Sequence, residues 1–275
     1  KDYLYLRPLI QLNYTFNDHS SMYLNYSSSV ETPKIGWLGT ASYLRDDKWL
    51  STSNSELESY TTRSAMVGYT FNNNWLYLSP YVYVYHNGNQ IIPLFSQENG
   101  YLVERKEHSG SMLAVMAALG SRIKPFRNIP LSLTIYAMYN DQRLTGGKAD
   151  RSVKSLGGMA MLRYSGEKWI AEAMYNQPFR AISDLGIDKG ENYGYFEFAR
   201  RIGKNLRIGA GMRYPFYDWK VSEETASGSP LTMKNTSRMT SQKNTIILTC
   251  VYSFSYGKKA RTVNKKVNNS DSDSG

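Results

Sequence analysis

The chain has 275 residues, a net charge of +10 and a mean hydropathy of −0.50. Its longest apolar run, from Met112 to Leu119, is much shorter than the roughly 20 residues that a membrane-spanning helix needs. A membrane crossing would therefore have to use strands. The single cysteine, Cys250, excludes an internal disulfide and a cysteine metal site.

The first segment alternates between apolar and mostly polar side chains, which is typical of a strand with two different faces. One side carries Leu4, Leu6, Pro8, Ile10, Leu12, Tyr14 and Phe16. The other side carries Tyr5, Arg7, Gln11, Asn13 and Thr15. The same division returns in the segment that begins at Leu206 and in the last one, where Cys250 shares the apolar side with Ile246 and Leu248.

Similar segments in between bring the prediction to about eleven strands. They are Met22 to Ser28, Tyr60 to Phe71, Trp75 to Asn87, Ser111 to Ile123, Leu131 to Asn140, Leu156 to Tyr164, Trp169 to Asn176 and Tyr193 to Arg200. The alternation is weaker from Ser111 to Ile123, so a helix from Met112 to Gly120 stays open as an alternative there.

The connections between these strands are short and long in turn. Short connections lie at 17–19, 72–74, 124–130, 165–168 and 203–205, and long ones at 29–59, 88–110, 141–155, 178–192 and 218–242. Aromatic residues flank the short turns, namely Phe16, Phe71, Trp75, Phe126, Tyr164, Trp169 and Tyr256. Transmembrane barrels combine tight periplasmic turns, long extracellular loops and interfacial aromatic girdles. We therefore predict an all-β chain that forms a transmembrane antiparallel up-and-down β-barrel over residues 1–257, followed by a polar tail over residues 258–275.

An odd number of strands is unexpected, because bacterial single-chain barrels have an even number. The chain also begins at Lys1, without a signal-peptide pattern. We therefore expect the chain to be incomplete at its N-terminus and to form one part of a larger barrel. One undetected strand would also restore an even count.

The end of the chain resembles a known family. The segment Val251-Tyr-Ser-Phe-Ser-Tyr-Gly-Lys-Lys259, the basic stretch after it and the Ser/Asp-rich end at Gly275 resemble the C-terminus of Bacteroidetes outer-membrane barrel proteins of the TonB-dependent-receptor type. The long loop that enters the strand at Ser53 to Tyr69 is similar as well. The resemblance implies the C-terminal half of a barrel of about 22 strands. It also implies a plug and a TonB-contacting box outside this chain.

The sequence contains no arrangement that indicates catalysis. His19, His86 and His108 lack metal-ligand spacing. His86 and His108 flank one long loop, where Glu107 or Ser109 could join them, but no spacing marks a nucleophile with its base. We predict no catalytic, cofactor-binding or metal-binding residues, no cofactor and no enzymatic activity.

Two groups of residues are candidates for binding. Trp37, Tyr43, Arg45 and Trp49 lie in the first long loop, a mixture suited to stacking on a ligand and pairing with an acidic group, although packing within the loop would use the same residues. Arg7, Arg207 and Arg213 lie on the polar side of their strands. They would make the barrel lumen cationic, facing either a substrate path or charges on the plug.

The function predicted from these observations is that of the barrel domain of a TonB-dependent-type receptor or transporter in the outer membrane of a Gram-negative cell. The short turns and the C-terminus would be periplasmic, and the long loops would capture an unidentified ligand. The expected partners are outer-membrane lipid and lipopolysaccharide, the plug and the other barrel half, and TonB through those parts, but no nucleic acid. The alternatives are a self-contained porin or barrel enzyme, and a soluble all-β carbohydrate-binding module.

Overall fold

The computed structural model describes residues 6–108, 110–146, 150–184, 186–216, 218–228 and 231–254. These residues form strands and one 3-10 turn, Ile35–Trp37. In chain order the strands are β1 (Leu9–Asn17), β2 (Ser20–Glu31), β3 (Ser42–Asp46), β4 (Trp49–Thr52), β5 (Tyr60–Asn72), β6 (Leu76–Asn87), β7 (Ile91–Glu98), β8 (Tyr101–His108), β9 (Ser111–Ile123), β10 (Leu131–Thr145), β11 (Arg151–Ser165), β12 (Trp169–Gln177), β13 (Arg180–Ile182), β14 (Gly186–Lys189), β15 (Tyr193–Ile202), β16 (Leu206–Arg213), β17 (Trp219–Gly228), β18 (Leu231–Met239) and β19 (Thr245–Tyr252).

Eleven strands form one antiparallel sheet in the order β1-β2-β5-β6-β9-β10-β11-β12-β15-β16-β19. Each strand pairs with the next long strand along the chain, which is up-and-down topology. These are the eleven strands that the sequence predicts, so the predicted fold class is confirmed. The alternative helix at Met112 to Gly120 is wrong, because this segment is the centre of β9 and pairs with β6 and β10 on its two sides.

The two faces of this sheet differ in chemistry and in exposure. Gly68, Tyr81, Ala118 and Met138 are registered partners across four strands and therefore share one face, which we call the inner face. Ala118 is 6% exposed there, whereas Val82, on the opposite outer face, is 41% exposed. The inner face is therefore the more covered of the two, as on the inside of a barrel wall. The sheet is consistent with half of a transmembrane barrel.

Aromatic side chains line the outer face at the end of the sheet with the short turns. Phe16, Trp75, Phe126 and Trp169 are all about half exposed there. Trp169 stacks on Phe198 with ring centroids 4.9 Å apart. Aromatic rings of this kind prefer the boundary between membrane and water, where one part of the ring is buried and another is wet.

The opposite end of the sheet, the long-loop end, is more ordered than the sequence predicts. The first two long loops supply a four-stranded sheet in the order β3-β4-β8-β7, and the last two supply another in the order β13-β14-β17-β18. The predicted loop over 141–155 is wrong, because β10 and β11 continue through most of it and remain paired from Leu144 and Arg151 down to the short turn. The outer-face residues of both strands are polar there, as in loop sequence.

Two loop strands fold over the inner face at the long-loop end. On β7, Ile92 is 1% exposed and packs with Met112, Ala114 and Leu144 of the inner face, a group that we call the mouth cluster. On β13, the Ile182 amide donates a hydrogen bond of 2.6 Å to Gln142 Oε1, and Asn140 Nδ2 donates one of 2.7 Å to the Arg180 carbonyl. The loops therefore close over the inner face rather than extending away from it.

No helix within the described ranges is long and apolar enough to cross a membrane. Tyr256 of the predicted girdle, the domain boundary at 257 and the polar tail over 258–275 lie outside the described residues.

Candidate ligand-binding site

One face of the β3-β4-β8-β7 sheet gathers aromatic and charged side chains from two long loops. Trp49 of β4 and Phe95 of β7 meet edge to face, with ring centroids 6.1 Å apart. Glu104 of β8 is registered with Ser51 and Phe95, so it shares this face. The parallel pairing of β4 with β8 joins segments about fifty residues apart, and it brings the first long loop onto the second.

Glu104 is the electrostatic centre of this face. Its Oε2 accepts a hydrogen bond of 2.9 Å from Arg45 Nη1 within an ion pair, and its Oε1 lies 3.3 Å from Lys106 Nζ. The Arg45 guanidinium also lies over the Trp49 ring, 4.7 Å from its centroid, and Lys106 lies 5.5 Å from the centroid of Trp37. We call Trp37, Arg45, Trp49, Phe95, Glu104 and Lys106 the loop cluster.

The structure therefore brings together three of the four loop residues singled out from the sequence. Trp37, Arg45 and Trp49 belong to the loop cluster, while Tyr43 lies on the same sheet face and is 58% exposed. Much of the contact surface is used for packing within the cluster, but the Arg45 side chain is 56% exposed. Tyr43 and Arg45 are thus the groups that a ligand could reach first.

Sequence reasoning missed Phe95, Glu104 and Lys106, which complete the loop cluster. Little in the sequence marks these residues, because Arg105 is charged like Glu104 and Lys106, so the segment lacks the apolar/polar alternation of a strand.

We expect Glu104→Gln to loosen the loop cluster. The change removes the charge that both Arg45 and Lys106 face, and Glu104 is only 5% exposed, so the loss is about 1–3 kcal/mol locally. Hydrogen exchange of the β4 and β8 amides should accelerate. Glu98→Gln, which changes an exposed carboxylate in the same hairpin, is the matched control and should leave exchange unchanged. Equal protection in both variants would contradict the role of Glu104.

The three arginines predicted to face the lumen lie in different surroundings. Arg7 precedes β1 and is exposed. Arg213 is registered with Tyr195 and lines an inner-face hollow of about 280 Å³ with Glu172 and Glu197. Arg207 lines a second hollow of about 330 Å³, near the short turns, with Arg163, Arg201 and Lys204.

Acidic groups on the inner face of β12 and β15 accompany these cations and were not singled out from the sequence. Arg163 Nε lies 3.4 Å from Glu172 Oε2, and the Tyr195 hydroxyl donates a hydrogen bond to Glu172 Oε1. Glu197 is the registered partner of Glu172. The inner face is therefore a charge mixture on β11 to β16, whereas its part on β2 to β10 is mostly uncharged.

The histidines at the long-loop end do not form a catalytic arrangement within the described residues. His86 Nε2 lies 2.8 Å from Ser111 Oγ. His108 is held by the backbone, since its Nε2 accepts from the Glu58 amide at 2.9 Å and its Nδ1 therefore donates to the Asn89 carbonyl, also at 2.9 Å. Ser109 lies outside the described residues. His86 and His108 thus have separate hydrogen-bond partners.

The second loop sheet contains a carboxylate whose titration can be followed. The ammonium of Lys220, 2.9 Å from Glu223 Oε2, and that of Lys234, 3.2 Å from Oε1, lower the pKa of Glu223 to about 2. Because the folded pKa lies below the unfolded value of about 4.3, this group stabilises the β17-β18 hairpin fully above that value. The stabilisation is lost as the pH falls from about 4.3 to about 2.

We therefore expect hydrogen-exchange protection of the β17 and β18 amides, after correction for intrinsic exchange rates, to be constant from pH 7 to pH 5. It should fall below about pH 4.3. Glu223→Gln should flatten this dependence. An unchanged pH profile in that variant would show that another group is responsible.

An up-and-down sheet with an apolar outer face, short turns at one end and long loops at the other is the arrangement of the wall of an outer-membrane β-barrel. The family comparison agrees with this class. The model of the outer membrane protein β-barrel family matches residues 1–256, and the chain belongs to that family. No curated protein matches the chain significantly.

Several solved structures share the fold. The copper transporter OprC matches with a TM-score of 0.61 and 14% identity over 84% of this chain and 38% of its own. The siderophore receptor PirA from Pseudomonas aeruginosa matches with a TM-score of 0.55 and 11% identity over 75% of this chain and 38% of its own. The FrpB iron transporter from Neisseria meningitidis matches with a TM-score of 0.52 and 11% identity over 84% and 36%. The chain spans little more than a third of these proteins.

Proposed function

We propose that this chain forms part of the barrel of a TonB-dependent-type receptor that takes up a ligand across the outer membrane, and that its role is not enzymatic. The observation that carries the proposal is the pairing of a lipid-compatible outer face with long loops that fold into sheets at one end only. A porin needs an open lumen, whereas here loop strands cover the inner face at the long-loop end. The similarity in fold to a copper transporter, a siderophore receptor and an iron transporter supports the same conclusion.

The proposed mechanism assigns one task to each part of the molecule. The outer face contacts lipid, and Arg143 of β10 and Lys154 of β11, which both pair with Asp141 on the outer face near the long-loop end, face the phosphates of lipopolysaccharide. The loop cluster, with Tyr43, makes the first contact with the ligand. The inner face then guides the ligand past a plug, supplied by sequence outside this chain together with the other barrel half. The Bacteroidetes origin stays a prediction.

Labelling of intact cells tests the proposed orientation, with short turns in the periplasm and long loops outside. In full-length protein carrying Cys250→Ser, Asp47→Cys in the β3-β4 turn should react with a membrane-impermeant maleimide. Lys204→Cys in the turn between β15 and β16 should react only after lysis. The reverse pattern would place the loops in the periplasm.

The dependence on TonB is tested separately with the purified full-length protein in detergent. We expect it to retain the periplasmic domain of TonB from the same organism in a pull-down, and an outer-membrane porin should not. Failure to retain TonB would remove the TonB-dependent type and leave the assignment to the family intact.

A further inference from the structure

The methionines of this chain are distributed unevenly between the two faces of the sheet. The sequence has eleven methionines. Seven of them lie on the inner face of β5, β9, β10, β11 and β12, as their register with inner-face partners requires. They are Met66, Met112, Met116, Met138, Met159, Met161 and Met174. On the outer face the corresponding apolar positions are mostly Leu, Ile and Val. The inner face of these strands therefore favours a thioether where a branched aliphatic residue has the higher strand propensity.

Three of these methionines come together on β11 and β12. Met161 and Met174 are direct registered partners, so their Cβ atoms lie about 4.5–5.5 Å apart. Met159 is two residues from Met161 on the same strand and face, about 7–8 Å from Met174 along the diagonal. Methionine has three rotatable bonds beyond its Cα, so the three sulfur atoms can converge on one point above the sheet.

The surroundings of this trio suit a ligand on the inner face. Segment 177–179 crosses directly above Gly157, where an added Cβ would lie 2.5 Å from the Phe179 amide nitrogen. The trio lies on the short-turn side of this crossing. Met159 also lines an inner-face hollow of about 460 Å³ with Tyr77 and Tyr136. The thioether of Met138 is already engaged, because it accepts a hydrogen bond from the Tyr136 hydroxyl at 3.7 Å, so it does not belong to the trio.

We propose that Met159, Met161 and Met174 form a site for a soft monovalent metal ion, Cu(I) or Ag(I). Thioether sulfur is a soft ligand that selects Cu(I) over hard divalent cations. Among the described residues, no group of three or more His, Cys, Asp or Glu side chains could hold a metal instead. The three thioethers lie next to the point where segment 177–179 crosses Gly157. Because thioethers are neutral, they would bind a thiophilic cation without adding negative charge to the site. The site is a property of the inner face and does not depend on TonB or on uptake.

Silver ion tests the site without a reductant. Full-length protein carrying Cys250→Ser, purified in detergent, is titrated with Ag(I) by calorimetry, and the ion retained after desalting is measured by mass spectrometry. The test variant is M159L/M161L/M174L, because leucine for methionine conserves volume and usually costs little stability. The matched control is M22L/M212L, which changes two outer-face methionines.

We expect the control to bind Ag(I) as the parent protein does and the triple variant to bind at least about tenfold more weakly, with about one ion fewer retained per chain. Each single variant should show a partial loss. Circular dichroism and thermal unfolding confirm that the triple variant is folded. Equal binding by the triple variant and the parent, or no binding by the parent, would overturn the proposal and leave the methionines as an adaptable packing surface.

Discussion

Replacing Leu248 with arginine should strongly destabilise the protein in a membrane. Leu248 lies in the middle of β19 on the outer face and is 81% exposed, so its side chain would meet hydrocarbon. A cationic side chain at the bilayer midplane of a barrel costs about 2–4 kcal/mol. We expect urea unfolding of the full-length protein in lipid vesicles to show a loss of that size.

Thr249→Arg is the matched control, because Thr249 is the next residue on the same strand but faces inward and lines the hollow near Glu172 and Glu197. Its arginine would remain in a polar, acidic environment and should cost much less. If Leu248→Arg and Thr249→Arg were equally stable, the assignment of the two faces would be reversed or the sheet would not lie in a membrane.

The eleven long strands could be predicted from sequence because each has to satisfy two environments at once. Lipid or the membrane interface contacts one side and a polar interior the other, so period-two alternation persists over eight or more residues, as in β1 and β19. Even Ser111 to Ile123, where alternation is weak, is a strand, because both neighbours need a partner there. Its inner face carries Met, Ala and Gly rather than polar groups, which is why the pattern was blurred.

The two loop sheets could not be predicted in the same way. Their strands are short, between three and ten residues, and both of their faces contact protein or water, so neither face has to be uniformly apolar. The pairing of β4 with β8 also joins two separate loops in parallel, and no local turn signal marks such a contact. Period-two alternation in 91–108 is visible only once its partners are known.

The candidate site was predictable to the extent that its residues share one loop. Trp37, Arg45 and Trp49 stood out by composition, but Glu104, which holds Arg45 in place, comes from the next long loop. Sequence alone therefore identified the cation and its aromatic neighbour without the carboxylate that organises them. The methionine trio could not be predicted from the sequence. Its members do not stand out there, and they meet only through the register of β11 and β12.

The way in which the loops cover the inner face has a consequence for ligand entry. On the proposed path from the loop cluster to the inner face a ligand would meet β7 and β13, because Ile92 and Ile182 pack together with the inner-face side chains of β9 and β10. The mouth cluster should therefore set the free energy of opening this end. Its stability is local, since the sheet below it is held by its own strand pairing.

Ile92→Ala should release the mouth without unfolding the sheet. Ile92 is 1% exposed among Met112, Ala114 and Leu144, and truncating such a side chain costs about 2–5 kcal/mol. We expect the β7 and β8 amides to exchange at least about tenfold faster, and proteases to cut within 88–110 sooner. Exchange in β10 and β11 near the short turns should stay unchanged. Ile35→Ala, at a 90% exposed position of the first long loop, should alter neither segment. If instead β10 and β11 lost protection together with β7, the mouth cluster would be part of the barrel's global stability and could not act as a separately opening closure.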